Sequence, residues 1–337
     1  MKLLLSLCLV LITSGRLPLV AADRVVYQGT SGPGKGQHIV FLSGDEEYRS
    51  EEGLPMLAKI LAVRHGFKCT VLFPINPADG TIDPNNQTNV VGLSELAQAD
   101  MVVMLWRFRE FPDQEMKYFA DYLQSGKPIL GLRTSTHAFS FERFKKGAYA
   151  AKFDWRSKEW PGGFGQQVLG DTWISHHGDH GSQSTRAFFN PTLRSHPVLA
   201  GVTDIWGDTD VYGIVHLWPS AEVLAYGQVL KGMKPSDPVL AGPKNSPLMP
   251  LIWTQIYRGE GGKNNRIFCT TMGAATDLQS EGLRRFVVNA CFYSTGLEKQ
   301  IKPDLDVNYV GDYKPSAFGF GKFKKGIKPS DHELKQK

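Results

Sequence analysis

Four continuous apolar runs, interleaved with helical patterns and sharp turns, constrain this chain most. His38-Ile39-Val40-Phe41-Leu42-Ser43 reads as a buried strand, and a polar turn leads from it into a helical pattern from Glu51 to His65 that Gly66 can close. Lys68 to Phe73 is a second strand. A Pro/Asn/Gly-rich loop then runs to Asn89, a short helix lies around Leu93 to Gln98, and Met101 to Leu105 is a third strand. Pro112-Asp113 starts a helix that runs to Gln124 and stops at Gly126, just before the strand Pro128-Ile129-Leu130-Gly131-Leu132. Strands that read as unbroken apolar runs are buried on both faces. Alternating with helices, they predict an α/β fold with a doubly wound, mainly parallel sheet.

The remainder divides into three. Residues 140–190 are aromatic and Gly-rich without a long helical period, and they read as an inserted irregular region. Order returns with a strand from Ala221 to Val229, a strand pair Leu251 to Tyr257 and Arg266 to Thr271, and a helix from Leu278 to Tyr293. The α/β domain thus spans residues 23–300, and residues 301–337 form a Lys-, Pro- and Gly-rich tail with Phe318, Phe320 and Phe323 interleaved, either docked in extended form or disordered.

Met1-Lys2, the apolar run Leu3 to Thr13 and the small residues of Val20-Ala21-Ala22 follow signal-peptide order, so residues 1–22 read as a leader cleaved before Asp23. That predicts an exported protein, periplasmic or extracellular. No later stretch has the apolar length of a membrane helix. The net charge is +5, of which the leader carries +2 and the tail +3, with eight Lys against five acids. The neutral body gives no support to nucleic-acid binding, and only the basic tail is suited to an anionic surface. Cys69, Cys269 and Cys291 are too few for a disulfide framework, and Cys69 and Cys269 sit in strand-like runs where a buried free thiol is expected.

Open parallel sheets bind ligands beyond the carboxyl ends of their strands. That rule selects three loops: Gly44-Asp45-Glu46-Glu47-Tyr48, Arg107-Phe108-Arg109-Glu110 and Arg133-Thr134-Ser135-Thr136-His137. The acidic loop precedes a helix, where the dipole alone favours carboxylates, or it points Glu46 or Glu47 into the cleft as a general base and Asp45 and Tyr48 toward a ligand. Arg107 and Arg109 form a surface ion-pair network, or one of them is buried and fixes the acidic loop or holds a polyhydroxylated ligand. The third loop stands where related α/β enzymes carry a Ser or Cys nucleophile, but Arg133 falls at that position and cannot do that chemistry. His137 remains a candidate acid/base with a pKa usable near neutrality, with Thr134 and Thr136 beside it; the alternative is a satisfied structural His. The combination expected to surround a sugar-sized ligand at the cleft is Glu46 or Glu47 as a carboxylate base, His137 as an acid and Arg109 steadying negative charge.

His176-His177-Gly178-Asp179-His180 follows an apparent strand Thr172 to Ser175. A divalent metal, if bound, is expected on His177 and His180 with help from His176 or Asp179, because neighbouring strand residues face opposite ways. A His-rich surface loop is the other reading, and no motif demands a cofactor. Asp208, Asp210 and Tyr212, preceded by Trp206, are a polar-aromatic group of the kind that contacts sugars, or turn and core residues.

Several of these stretches together resemble one family. They are Gly44-Asp45-Glu46-Glu47-Tyr48, the turn Gly131 to Phe139, Ser195-His196-Pro197-Val198 followed by Asp208 to Gly213, and Ile252-Trp253-Thr254 through Thr270-Thr271-Met272-Gly273. Over Gly36 to Gly296 the chain is similar to the trehalose-utilisation (ThuA-like) family, and Gly311-Asp312-Tyr313-Lys314-Pro315 through Phe318-Gly319-Phe320-Gly321 resembles an exported branch of it. The resemblance implies a class I glutamine amidotransferase-like fold, related to flavodoxin-type sheets, that lacks the nucleophile. It also implies a role in disaccharide metabolism. Where many members carry His, this chain has Arg133, and where they carry Gly-His it has Gly273-Ala274. The expectation is an exported enzyme that processes a sugar or oxidised glycoside by acid/base chemistry, with a small carbohydrate as ligand. A non-catalytic carbohydrate-binding protein and a metal-dependent hydrolase are the competing readings.

Overall fold

The computed structural model describes residues 23–334, and the expected leader lies outside them. In chain order the elements are β1 (Arg24–Gln28), β2 (His38–Gly44), α1 (Ser50–His65), β3 (Lys68–Leu72), β4 (Met101–Trp106), α2 (Asp113–Gln124) and β5 (Ile129–Leu132). The one-turn helix α3 (Ala150–Phe153) follows, then β6 (Thr185–Phe189), β7 (Trp206–Gly207), β8 (Glu222–Val229), β9 (Met249–Arg258), β10 (Asn264–Thr270) and α4 (Glu281–Ser294).

All ten strands join one sheet in the order β1-β3-β2-β4-β5-β10-β9-β8-β6-β7. The central five, β3-β2-β4-β5-β10, are parallel, as the unbroken apolar runs require. Antiparallel strands extend both ends: β1 on one side, and β9, β8, β6 and β7 on the other. The period of two along each central strand divides its side chains between two cores. Ile39, Phe41 and Val103 pack with Leu57 and Leu61 of α1 and Phe286 of α4. Val40, Leu42, Val102 and Met104 pack with Met116, Phe119 and Leu123 of α2 and with Phe164, Val168 and Leu169 of the insertion. The helix before Gly66 ends as expected, with that glycine at φ 85°.

One expectation changes and one alternative is decided. Thr172 to Ser175 is not a strand; the segment has no regular secondary structure, and only His176 bridges to Tyr212. The tail is docked: the Tyr313 hydroxyl donates to Ala275 O at 2.7 Å, Arg49 Nη2 donates to Gly319 O at 2.7 Å, and Tyr27 donates to His332 O at 2.7 Å. Among the described residues, no helix is long and apolar enough to cross a membrane, and Cys69, Cys269 and Cys291 are buried free thiols.

Candidate functional site

Strand order reverses at β2, which has β3 on one side and β4 on the other. Gly44 and Trp106 are register partners, so the acidic loop and the arginine loop leave the sheet side by side at that switch point. Asp45 shapes the first loop. Its fully buried carboxylate accepts from the backbone N–H of Glu47 at 2.7 Å and of Tyr48 at 2.5 Å, and from the Thr134 hydroxyl. Such a side-chain-to-backbone turn fixes the direction of both glutamates.

Glu46 turns under the rim, where Arg107 and Arg109 both pair with it, Arg109 Nη2 at 2.7 Å. Arg109 is fully buried and also donates to the carbonyls of Arg107, Pro84 and Asn86. Glu46 and Arg109 therefore hold the loops and do not line the cleft, which corrects the expectation that they surround a ligand. Glu47 and Arg107 do line it. Burial, with Asp45 close by, raises the Glu47 carboxyl above the usual range despite Arg107 and His180.

Arg133 opens the turn after β5 at φ 42°, the left-handed backbone that a strand-to-helix elbow demands of its first residue. Its guanidinium lies between the rings of Tyr48 and Tyr212, 4.6 and 3.9 Å from their centroids. It donates to Thr271 O, Asp210 O and Asp210 Oδ1 at 2.8, 2.6 and 2.8 Å. Wholly buried, it braces the floor. Asp45, Tyr48, Thr134 and Thr136 are likewise packed beneath the cavity, and Asp208 faces Thr276 and Asp277 instead, where burial and Asp277 push its carboxyl up to about 6. Of that polar-aromatic group only Tyr212 lines the cleft.

The cavity above these groups measures about 450 Å³, within the range of small-molecule sites. Glu47, Arg107, His137, His176, His180 and Tyr212 share it. His137 packs against Phe108 and Trp173, with ring centroids 5.0 and 5.4 Å away, and its Nδ1 is 3.2 Å from the Thr136 hydroxyl. Burial, reinforced by Arg107 and Arg133, holds its pKa well below 6.5. That direction favours the uncharged imidazole, which suits the base half of the acid/base reading.

The histidine cluster is rearranged. His177 turns away and its Nε2 lies 2.7 Å from Lys244 O, while the Asp179 carboxylate pairs with Lys244 Nζ at 2.5 Å. His176 and His180 face the cavity, their rings 4.7 Å apart, with Nδ1 atoms 2.7 and 2.9 Å from Asp210 Oδ2 and Oδ1. The metal-capable group among the described residues is therefore His176, His180 and Asp210, not His177 and His180. The bridge from His176 to Tyr212 sets this orientation and sends the next side chain to the other side. Burial opposes ionisation of Asp210, but Arg133 and the two imidazoles outweigh it and keep the carboxyl below its usual range.

Sequence reasoning missed one wall. Phe318, Gly319, Phe320 and Lys322 of the tail line the cavity, and Gly319 N donates to Glu47 O at 2.8 Å. The signal was present in the alternating Phe and Gly of that segment. The insertion supplies another wall through Trp173, and it presses on the 133–137 turn through Gly165, where a Cβ would collide with the Thr136 carbonyl.

No protein of curated function matches this chain. Among solved structures, a putative ThuA-like protein from Parabacteroides merdae superposes with a TM-score of 0.50 at 15% identity, covering 78% of this chain and 91% of that one. A putative ThuA-like protein from Bacteroides uniformis does so with a TM-score of 0.47 at 14% identity, covering 83% and 100%. The profile of the trehalose utilisation family, ThuA, matches residues 39–294. That span holds the parallel sheet, the three strand-end loops and the histidine cluster, and the chain belongs to the ThuA family.

Proposed function

We propose that this chain is an exported enzyme that processes a sugar or an oxidised glycoside by proton transfer in the strand-end cleft. One observation carries the reading: an uncharged, buried His137 and the carboxyl group of Glu47 share a cavity of about 450 Å³ with Arg107 and aromatic walls. Aromatic faces suit the C–H faces of a sugar ring, and Trp173 offers a buried indole N–H that has no partner. In an oxidised sugar, the C–H next to the carbonyl is acidic. His137 takes that proton, Arg107 steadies the oxyanion as the C–H electrons move into the enolate, and Glu47 binds the hydroxyls.

The test is turnover of intact and oxidised disaccharides, together with deuterium exchange at the carbon beside the carbonyl. His137→Ala should remain folded, with a lowered Tm from the cavity it leaves, and lose on the order of 10²–10⁴ in rate. Parent-like turnover by that variant sinks the assignment. A parent that binds these sugars and never turns them over is a carbohydrate-binding protein instead.

A further inference from the structure

The pocket contains a second arrangement, built on two histidines that the proton transfer does not use and sharing Glu47 with it. Asp210 accepts from the Nδ1 atoms of both His176 and His180, which fixes the two imidazoles in one tautomer and leaves each Nε2 as the free nitrogen. A buried carboxylate that orients histidines in this way is the outer partner found behind metal-binding imidazoles. His180 Nε2 is 3.3 Å from Glu47 Oε1. That is longer than a charge-assisted hydrogen bond of about 2.7–2.9 Å. It matches the separation of roughly 3.3–3.4 Å between two ligands on a tetrahedral ion with bonds of about 2.0–2.1 Å.

We propose that His176 Nε2, His180 Nε2 and the Glu47 carboxylate hold one divalent transition metal ion inside this pocket, with Asp210 orienting both imidazoles from behind. The ion belongs on the Nε2 side because Asp210 Oδ1 already accepts from Arg133 Nη2 at 2.8 Å, and that guanidinium repels a second cation. Two imidazoles and a carboxylate suit zinc, cobalt, iron or manganese, and three protein ligands leave positions open for substrate oxygens. The ion would polarise a sugar carbonyl or hydroxyl as a Lewis acid while His137 acts on the proton. That role rests on reading this pocket as the site of sugar chemistry; the binding itself does not.

The experiment uses the whole chain, stripped with chelator and titrated with Zn²⁺ by calorimetry and with Co²⁺ by visible absorption. One ion per chain is expected. His176→Ala, His180→Ala and Glu47→Gln should each weaken binding by at least about ten- to a hundredfold, while His177→Ala binds like the parent. Metal-free melts of every variant are compared with the parent, so that a loss of binding is counted only in folded protein. Absence of stoichiometric binding, or equal binding by folded His180→Ala and parent, overturns the site. Full sugar turnover by stripped protein overturns the ion's role and leaves the sugar-processing reading intact. One tightly held ion without any sugar turnover supports the site and removes that other reading.

Discussion

Arg133 Nη2 donates to Asp210 Oδ1 at 2.8 Å, and neither side chain has any exposure to solvent. Removing one partner leaves a buried charge without compensation, so Asp210→Ala should destabilise the protein by on the order of 3–5 kcal/mol. The double variant Arg133→Met/Asp210→Ala should recover part of that loss. Urea unfolding of the three proteins measures both, and a cost for Asp210→Ala under about 1 kcal/mol contradicts the pairing.

Arg133 also decides a negative result. It holds the left-handed position at which a strand-to-helix elbow carries a nucleophile, and its side chain is committed to the floor. Ammonia release from glutamine should therefore be absent, and release that a thiol reagent abolishes would show that another residue serves as nucleophile.

Phe320 stands at the mouth with 59% of its surface exposed, and the Arg107 guanidinium lies 4.9 Å from its ring centroid. A ring in that place stacks on ground state and transition state alike. Phe320→Ala should raise KM roughly two- to tenfold and leave kcat nearly unchanged. A kcat that falls while KM holds would place Phe320 closer to the reacting atoms.

The central sheet was legible in the sequence because a strand buried on both faces needs an unbroken apolar run, and residues 38–43, 101–105 and 128–132 have one. The antiparallel wing was only partly so: β8 and the β9–β10 pair show local patterns, whereas β7 is two residues long and β1 is a short edge strand. At the site, the loops were found but the roles within them were exchanged. Arg109 is expected in the cleft from sequence, yet Phe108 adopts φ 49°, which breaks the strand alternation and sends the Arg107 guanidinium to the cleft and that of Arg109 beneath it. Left-handed backbone at a residue other than Gly leaves no compositional mark. Likewise, the direction of His177 is set by Lys244, 67 residues away.

His332 is a candidate acid-sensitive contact. Its ring stacks on Phe73 at 5.4 Å, and burial, with Lys59 nearby, pushes its pKa from 6.5 down to about 4 despite Asp331 and Glu52. The docked state binds fewer protons than the released one between those values. Tail docking is therefore intact above pH 6.5, weakens as pH falls toward 4 and changes little below it, by up to about 3 kcal/mol. Hydrogen exchange of residues 329–332 across that range reads it, and protection that does not change from pH 7 to 4 contradicts the assignment.

The tail contributes walls and clamps but no strand, and that affects unfinished or clipped chains. A polypeptide ending before Gly311 retains every strand of the sheet, with Glu47, His137 and Arg107 in place, and lacks the Phe318 to Lys322 side of the cavity. During synthesis the body can assemble while the last segment is still emerging. The segment from Gly311 onward thus acts as a late-made cover: without it the scaffold persists while Glu47, His137 and Arg107 face bulk water on that side.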